Sequence, residues 1–190
     1  MTNPLTGLTF DHLTASQARE QRDVVEDIYI RSYVEAIASG DPFDSPAEFM
    51  RRFDAYTGRG EGFALVFACV DGNAAGQAWG WPLQRNARWW EGRRLDSGDL
   101  TEFTTETGSR TFALSEIMVC AEYAGRDVAR PLQDELLRGR AEQRATLLVE
   151  SDNGRAYRAY LKWGWRRVGA LTPDWPKAPV FDVLIREPLG

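Results

Sequence analysis

Glu116 lies in the run FALSEIMV (112–119), where Phe112, Leu114 and Glu116 alternate onto one face and Ala113, Ser115 and Ile117 onto the other. A carboxylate in the middle of an apolar strand is costly unless it is paired or opens onto a cleft. Two readings follow. One is a structural ion pair, with Arg144 or Arg155 as partner; the other is a general base whose raised pKa suits removal of a proton from an ammonium. Tyr160 is the second proton-bearing candidate, because a phenol of pKa about 10 can donate to, or stabilise, a departing anion. By spacing alone it reads as a half-buried aromatic beside Ala156 and Trp163 on one helix face. The run VCAEYAGRDVARPL (119–132) joins a strand to a helix, where backbone N–H groups and the helix dipole favour an anion. Alone it reads equally well as an ordinary polar turn. Cys120 invites a nucleophilic role but has no neighbouring His to activate it. With one histidine, His12, and two scattered cysteines, no zinc or haem ligand set can be assembled, so no metal is expected.

Further along, NGRAYRAYLKWGW (153–165) places an Asn at a helix start, a Tyr seven residues on and a Gly-aromatic stop. The segment resembles the last signature block of the GNAT superfamily of acyl-CoA N-acyltransferases. Asn153, Ala156, Tyr160 and Gly164 match that block in register, and Trp165 takes the place of its aromatic. At the strand-to-helix junction the family pattern is Arg or Gln, two residues, Gly, one residue, then Gly or Ala. Here Ala129 keeps the final small residue and Gly125 sits where a Gly is common. Ala124, however, stands where the Arg or Gln would be, and Asp127 where the central Gly would be.

The resemblance implies acetyl-CoA as co-substrate and direct attack on its thioester by an amine. It makes Glu116 the general base and Tyr160 the general acid toward the sulfur. Backbone groups of Ile117, Met118 and Val119 would bond the pantetheine arm and polarise the acyl carbonyl. The junction residues Ala124, Gly125, Arg126, Asp127, Val128, Ala129 and Arg130 would anchor the pyrophosphate, with Arg126 and Arg130 offsetting the Asp127 charge. Asn153 would bond a pantetheine amide as well as capping its helix, and Tyr157 is packing or cofactor-adjacent. The strands ending near Val119 and Glu150 would part to admit the arm.

The elements that must position these groups are legible in outline. A short strand at 8–13 precedes a helix opened by the Thr14/Gln17 capping box, with Val24, Val25, Ile28, Tyr33, Val34 and Ile37 on its apolar face until Gly40-Asp41-Pro42 breaks it. Ser45-Pro46-Ala47-Glu48 starts a second helix that buries Phe49, Met50 and Phe53. Strands at 63–70 and 74–81 flank the hairpin signal Asp71-Gly72. After the strand at 112–119 come a helix at 128–141, a strand at 146–150, the helix at 153–164, and strands at 165–168 and 180–186 around the proline-rich TPDWPKAP. This order predicts an α/β (α+β) fold of GNAT type: a mixed, mostly antiparallel sheet of six to seven strands flanked by about four helices, in one domain over 1–190. The connection 82–111 is longer than a simple loop; its Trp-Arg interleaving (WPLQRNARWW) reads as a lid, an acceptor-pocket wall or a dimer contact.

A net charge of −5 argues against a broad nucleic-acid surface. No run approaches the roughly 20 apolar residues of a membrane span, and the opening residues lack a signal-peptide pattern, so a cytoplasmic protein is expected. The expected acceptor is the amine of a small molecule or a peptide, and a homodimer is expected. Two other readings stay open: a degenerate GNAT-fold module that binds CoA or a partner without catalysis, and an acyltransferase acting on aminoacyl-tRNA or a protein.

Overall fold

The computed structural model describes residues 6–58, 62–174 and 178–189. They form two compact units, Met1–Trp81 with Glu116–Leu137, and Pro82–Ser115 with Arg138–Gly190.

In the first unit β1 (Leu8–Thr14), β2 (Ala64–Val70) and β3 (Asn73–Pro82) pair antiparallel in that order, followed by the C-terminal part of β5 (Thr111–Val119). The β2–β3 turn holds Asp71 at φ 50° and Gly72 at φ 79°. Both central residues are left-handed, as a tight hairpin matched to strand twist requires. The helix expected after Thr14 is three helices: α1 (Ala15–Glu20), α2 (Arg22–Ser32) and α3 (Val34–Ser39). Gln21 (φ −99°, ψ 23°) and Tyr33 (φ −111°, ψ 36°) leave helical geometry and re-aim each piece. Both expected caps form: Thr14 and Gln17 make the capping box, and Ser45 accepts from the Glu48 N–H at the start of α4 (Pro46–Thr57). Val25, Ile28 and Tyr29 of α2 pack with Phe49, Met50 and Phe53 of α4 onto Leu65, Phe67 and Trp79. Within this core Tyr33, Tyr29, Phe49 and Trp79 stack in succession, at centroid spacings of 5.0, 3.8 and 5.4 Å. The helix α6 (Ala129–Leu137) lies against β1 and β2 and buries Leu132, Leu136 and Leu137.

In the second unit the strand order is β5, β6 (Arg144–Glu150), β8 (Phe181–Arg186), β7 (Arg166–Leu171), β4 (Arg93–Leu95). Here β5 and β6 run parallel, while β6–β8, β7–β8 and β4–β7 are antiparallel. The helices are α5 (Leu100–Thr104) and α7 (Gly154–Lys162). The fold is therefore the expected mixed, mostly antiparallel one, with eight strands and seven α-helices among the described residues rather than six to seven and about four. The extra strand, β4, is three residues of Arg-Arg-Leu inside the 82–111 connection, too short to show an alternating pattern. The extra helices are the pieces of the first one, and α5. Residues 175–177 of the proline-rich connection lie outside the described residues. No described helix is long and apolar enough to cross a membrane.

Candidate active site

Within β5, alternation puts Glu116 on the same face as Met118 and Cys120, and both of those belong to the packed core under α2 and α4. Glu116 itself is only half-buried. It lies at the margin of that core, enclosed by protein yet still touched by solvent. Desolvation pushes its carboxyl up to about 7, opposed in part by the positive charge of Arg52. Among the described residues Glu116 has no hydrogen bond and no ion pair. The structural pair weighed above is therefore not formed, and Arg144 is engaged by Thr111, Phe103 and Glu106 instead.

Arg52 and Tyr29 were not singled out in the sequence. Arg52 sits one helical turn after Phe49, donates from Nη1 to the Phe43 carbonyl (3.1 Å) and stacks its guanidinium 4.1 Å from the Phe43 ring centroid. The Tyr29 hydroxyl donates to the next carbonyl, that of Asp44, at 2.9 Å. Burial raises the Tyr29 pKa first, with Asp44 and, less, Glu116 adding to it. The available signal was an arginine flanked by the buried Phe49 and Phe53 of α4, which an amphipathicity count alone scores as surface.

Downstream of Glu116 the β5 backbone is held close to β3. The Cys120 N–H bonds the Ala75 carbonyl at 2.9 Å, and a Cβ on Gly76 would come within 2.6 Å of the Met118 carbonyl oxygen. Met118 is buried, and its sulfur receives the Gln77 amide at 3.3 Å; Ile117 and Val119 are half-buried. The chain then makes a 3-10 turn at Ala121–Tyr123, leaves it through Ala124, and enters left-handed backbone at Gly125 (φ 77°) and Asp127 (φ 58°). Asp127 thus adopts the conformation its glycine counterpart in the GNAT pattern would take easily. Apart from the hairpin residue Asp71, it is the one described non-glycine residue with positive φ, a conformation Asp tolerates better than most side chains. The first backbone bond here runs from Leu132 N–H to Val128 carbonyl, so the N–H groups leading into α6 precede its ladder and can face an anion. Val128 is buried, leaving only its backbone for that task; Arg126 and Arg130 are exposed, with Arg130 3.8 Å from Asp134 and Arg126 5.8 Å from the Tyr123 ring centroid.

Three predicted residues belong to the second unit. Asn153 caps α7, its side-chain oxygen accepting from Ala156 N–H at 3.2 Å, which leaves its NH2 group for another partner. Tyr157 and Tyr160 are half-buried on α7, a helix with no fully buried residue despite its strongly one-sided apolar pattern. Tyr160 is set edge-on to Trp163 and Trp165 at 5.5 and 6.2 Å. In the same unit the parallel β5–β6 ladder comprises three rungs, Thr111–Arg144, Phe112–Ala145 and Ala113–Thr146.

A cavity of about 510 Å³ in the first unit, beside Asp11, Glu20, Val24, Phe67 and Cys69, contains none of the predicted residues. No described cluster of three or more His, Cys, Asp or Glu side chains could hold a metal.

No family model matches the chain, and no curated protein matches its sequence. Among solved structures the chain is similar to one described as an acetyltransferase of the GNAT family from Desulfovibrio desulfuricans, at 16% identity over 96% of this chain and 99% of that one, with a TM-score of 0.61. It is also similar to a spermidine N-acetyltransferase chimera from Vibrio cholerae and hSSAT, at 14% identity over 96% of each chain and a TM-score of 0.59. A third is the PaiA N-acetyltransferase of Thermoplasma acidophilum in complex with coenzyme A, at 10% identity, 95% and 99% coverage and a TM-score of 0.53. At such identities the likeness speaks for the fold, and the fold of this chain is that of the GNAT acetyltransferases.

Proposed function

We propose that the whole chain works as one N-acetyltransferase, which moves an acetyl group from acetyl-CoA to a primary amine of a small molecule or peptide by direct attack. The observation that carries this reading is Glu116: a half-buried carboxyl with no hydrogen bond or ion pair among the described residues, raised to about 7 by burial. Such a group is poised to take a proton at neutral pH, which is what a general base for an ammonium requires.

The fit to coenzyme A rests on two features. The left-handed turn through Gly125 and Asp127, whose Arg126 N–H is bonded to the Tyr123 carbonyl, leads to the N–H groups that precede the α6 ladder, where an anion is favoured, with Arg126 and Arg130 beside it. The helix α7 has an incompletely covered apolar face carrying Tyr157 and Tyr160, and a cap residue, Asn153, whose NH2 group makes no hydrogen bond among the described residues. The similar structure solved with coenzyme A and the one named for spermidine support the choice of donor and acceptor class.

Bound acetyl-CoA supplies an activated acetyl thioester. Glu116 removes a proton from the acceptor ammonium and frees its lone pair. A backbone N–H of Ile117–Val119 polarises the acyl carbonyl. As the C–N bond forms and the C–S bond breaks, the Tyr160 hydroxyl delivers a proton to sulfur, so that CoA leaves as a neutral thiol, and the second proton shed by the acylated nitrogen restores the phenol. Calorimetric titration with acetyl-CoA, with thiol release measured over a panel of amines, tests the reading. Binding together with amine-dependent thiol release is expected. Binding without release from any amine would favour a CoA-holding module, and no binding would remove the acetyltransferase reading.

A further inference from the structure

The long connection 82–111 delivers three groups to one buried spot in the second unit. Trp90 and Glu106 are 3% and 4% exposed, and Phe103 packs edge-on to Trp90 at 5.3 Å. One oxygen of Glu106, Oε1, accepts from Trp90 Nε1 (3.0 Å) and from the Thr111 hydroxyl (2.8 Å), and lies 3.4 Å from Arg144 Nη2. Arg144 in turn donates from Nε to Thr111 Oγ1 (2.8 Å) and from Nη2 to the Phe103 carbonyl (2.6 Å), with its guanidinium 4.3 Å from the Phe103 ring centroid. The Thr111 hydroxyl thus donates to one charged partner and accepts from the other, tying the first residue of β5 to the first residue of β6. Burial opposes the charge on Arg144 and pulls its pKa down, and Glu106 Oε2 is buried with no hydrogen-bond partner among the described residues. A buried ion pair with an orphaned oxygen is a poor source of stability compared with apolar packing, and its best-attested use is to fix register.

Register is what this cluster controls. Thr111 and Arg144 are the first rung of the parallel β5–β6 ladder, which ends two rungs later at Ala113–Thr146, while β6 goes on against β8 from Ala145–Arg186 to Glu150–Phe181. A ladder of three rungs holds little by itself. We propose that Glu106 and Arg144 are positioning residues: they lock Thr111 opposite Arg144 and so set the point at which β6 leaves β5, making 82–111 a clasp rather than a lid. This rests on the reading above, in which the arm of acetyl-CoA enters where those strands part.

Two variants test it, Glu106→Gln and the apolar double substitution Glu106→Leu with Arg144→Met, the second keeping the spot filled. Amide hydrogen exchange at Phe112, Ala113, Ala145 and Thr146 should speed up about tenfold or more in both, with β2 amides unchanged. The acetyl-CoA dissociation constant should rise by about tenfold while kcat at saturating acetyl-CoA stays within about twofold. Unchanged exchange in both variants would overturn the clasp. Faster exchange with undiminished acetyl-CoA affinity would overturn its positioning role. Failure of the parent protein to bind acetyl-CoA would sink the acetyltransferase reading instead, and the exchange measurement would still decide the clasp.

Discussion

The positive charge of Arg52 on α4 opposes the burial that raises the Glu116 carboxyl on β5, so the two residues together set where that carboxyl titrates. Among the described residues Arg52 makes no ion pair closer than its 3.7 Å approach to Glu48, whose Oε1 is already bonded by Arg51 at 2.6 Å. Replacing Arg52 by Leu should therefore move the Glu116 titration further upward. The alkaline plateau of kcat/KM for an amine acceptor would then be reached at higher pH, and a pH–rate profile of the variant checks this.

Glu116 also couples pH to stability. Its folded-state pKa lies above the ordinary carboxylate value, so between about 4.5 and 7 the folded protein holds a proton that the unfolded chain has released. Stability falls as pH rises through that window, and above it the full cost of a charged, desolvated group is felt. Glu116→Gln removes the cost. The thermal midpoint of this variant relative to the parent should rise between pH 5 and pH 8, as read by scanning calorimetry.

Asp127 holds left-handed backbone at φ 58° beside the proposed pyrophosphate site. Asp127→Gly relieves a side chain from that conformation and removes a negative charge, so acetyl-CoA should bind several-fold more tightly with little change in stability. Asp127→Val adds a β-branched side chain where φ is positive and should lower the thermal midpoint. Titration calorimetry and thermal melts read the two effects separately.

Tyr160→Phe keeps the edge-on packing against Trp163 and Trp165 and removes only the hydroxyl. Turnover should drop by about tenfold or more with little loss of acetyl-CoA affinity, the pattern of a group used in the transition state. Unchanged turnover would remove Tyr160 from the mechanism.

The sequence was most legible where one local force sufficed. Thr14, Ser45, Gly40 and Asp71-Gly72 announced caps, a stop and a turn through their own chemistry, and each forms as read. Boundaries slipped where tertiary packing decides: one apolar periodicity from Val24 to Ile37 did not reveal the break at Tyr33, beyond which α3 buries no residue and the expected core position Val34 is exposed. Glu116 stood out as a charge in an apolar strand, but its partner could not be read from spacing. Arg144 seemed available and is taken by Glu106, while the charge of Arg52, on a helix far away in sequence, acts on Glu116 without pairing with it. The connection 82–111 reads as a lid, an acceptor-pocket wall or a dimer contact because its aromatics and arginines carry no periodicity. Spacing could not show that Trp90, Phe103 and Glu106 meet Thr111 and Arg144 in space.

The most direct test of the account is the pH dependence of amine-dependent thiol release from acetyl-CoA by the parent protein and by Glu116→Gln, under conditions where both bind acetyl-CoA. The parent should show a rate that climbs to a plateau with an apparent pKa of about 7, and the variant should be slower at the plateau and lack that limb. A variant with the parent's rate and the parent's profile would contradict the assignment of Glu116 as the base.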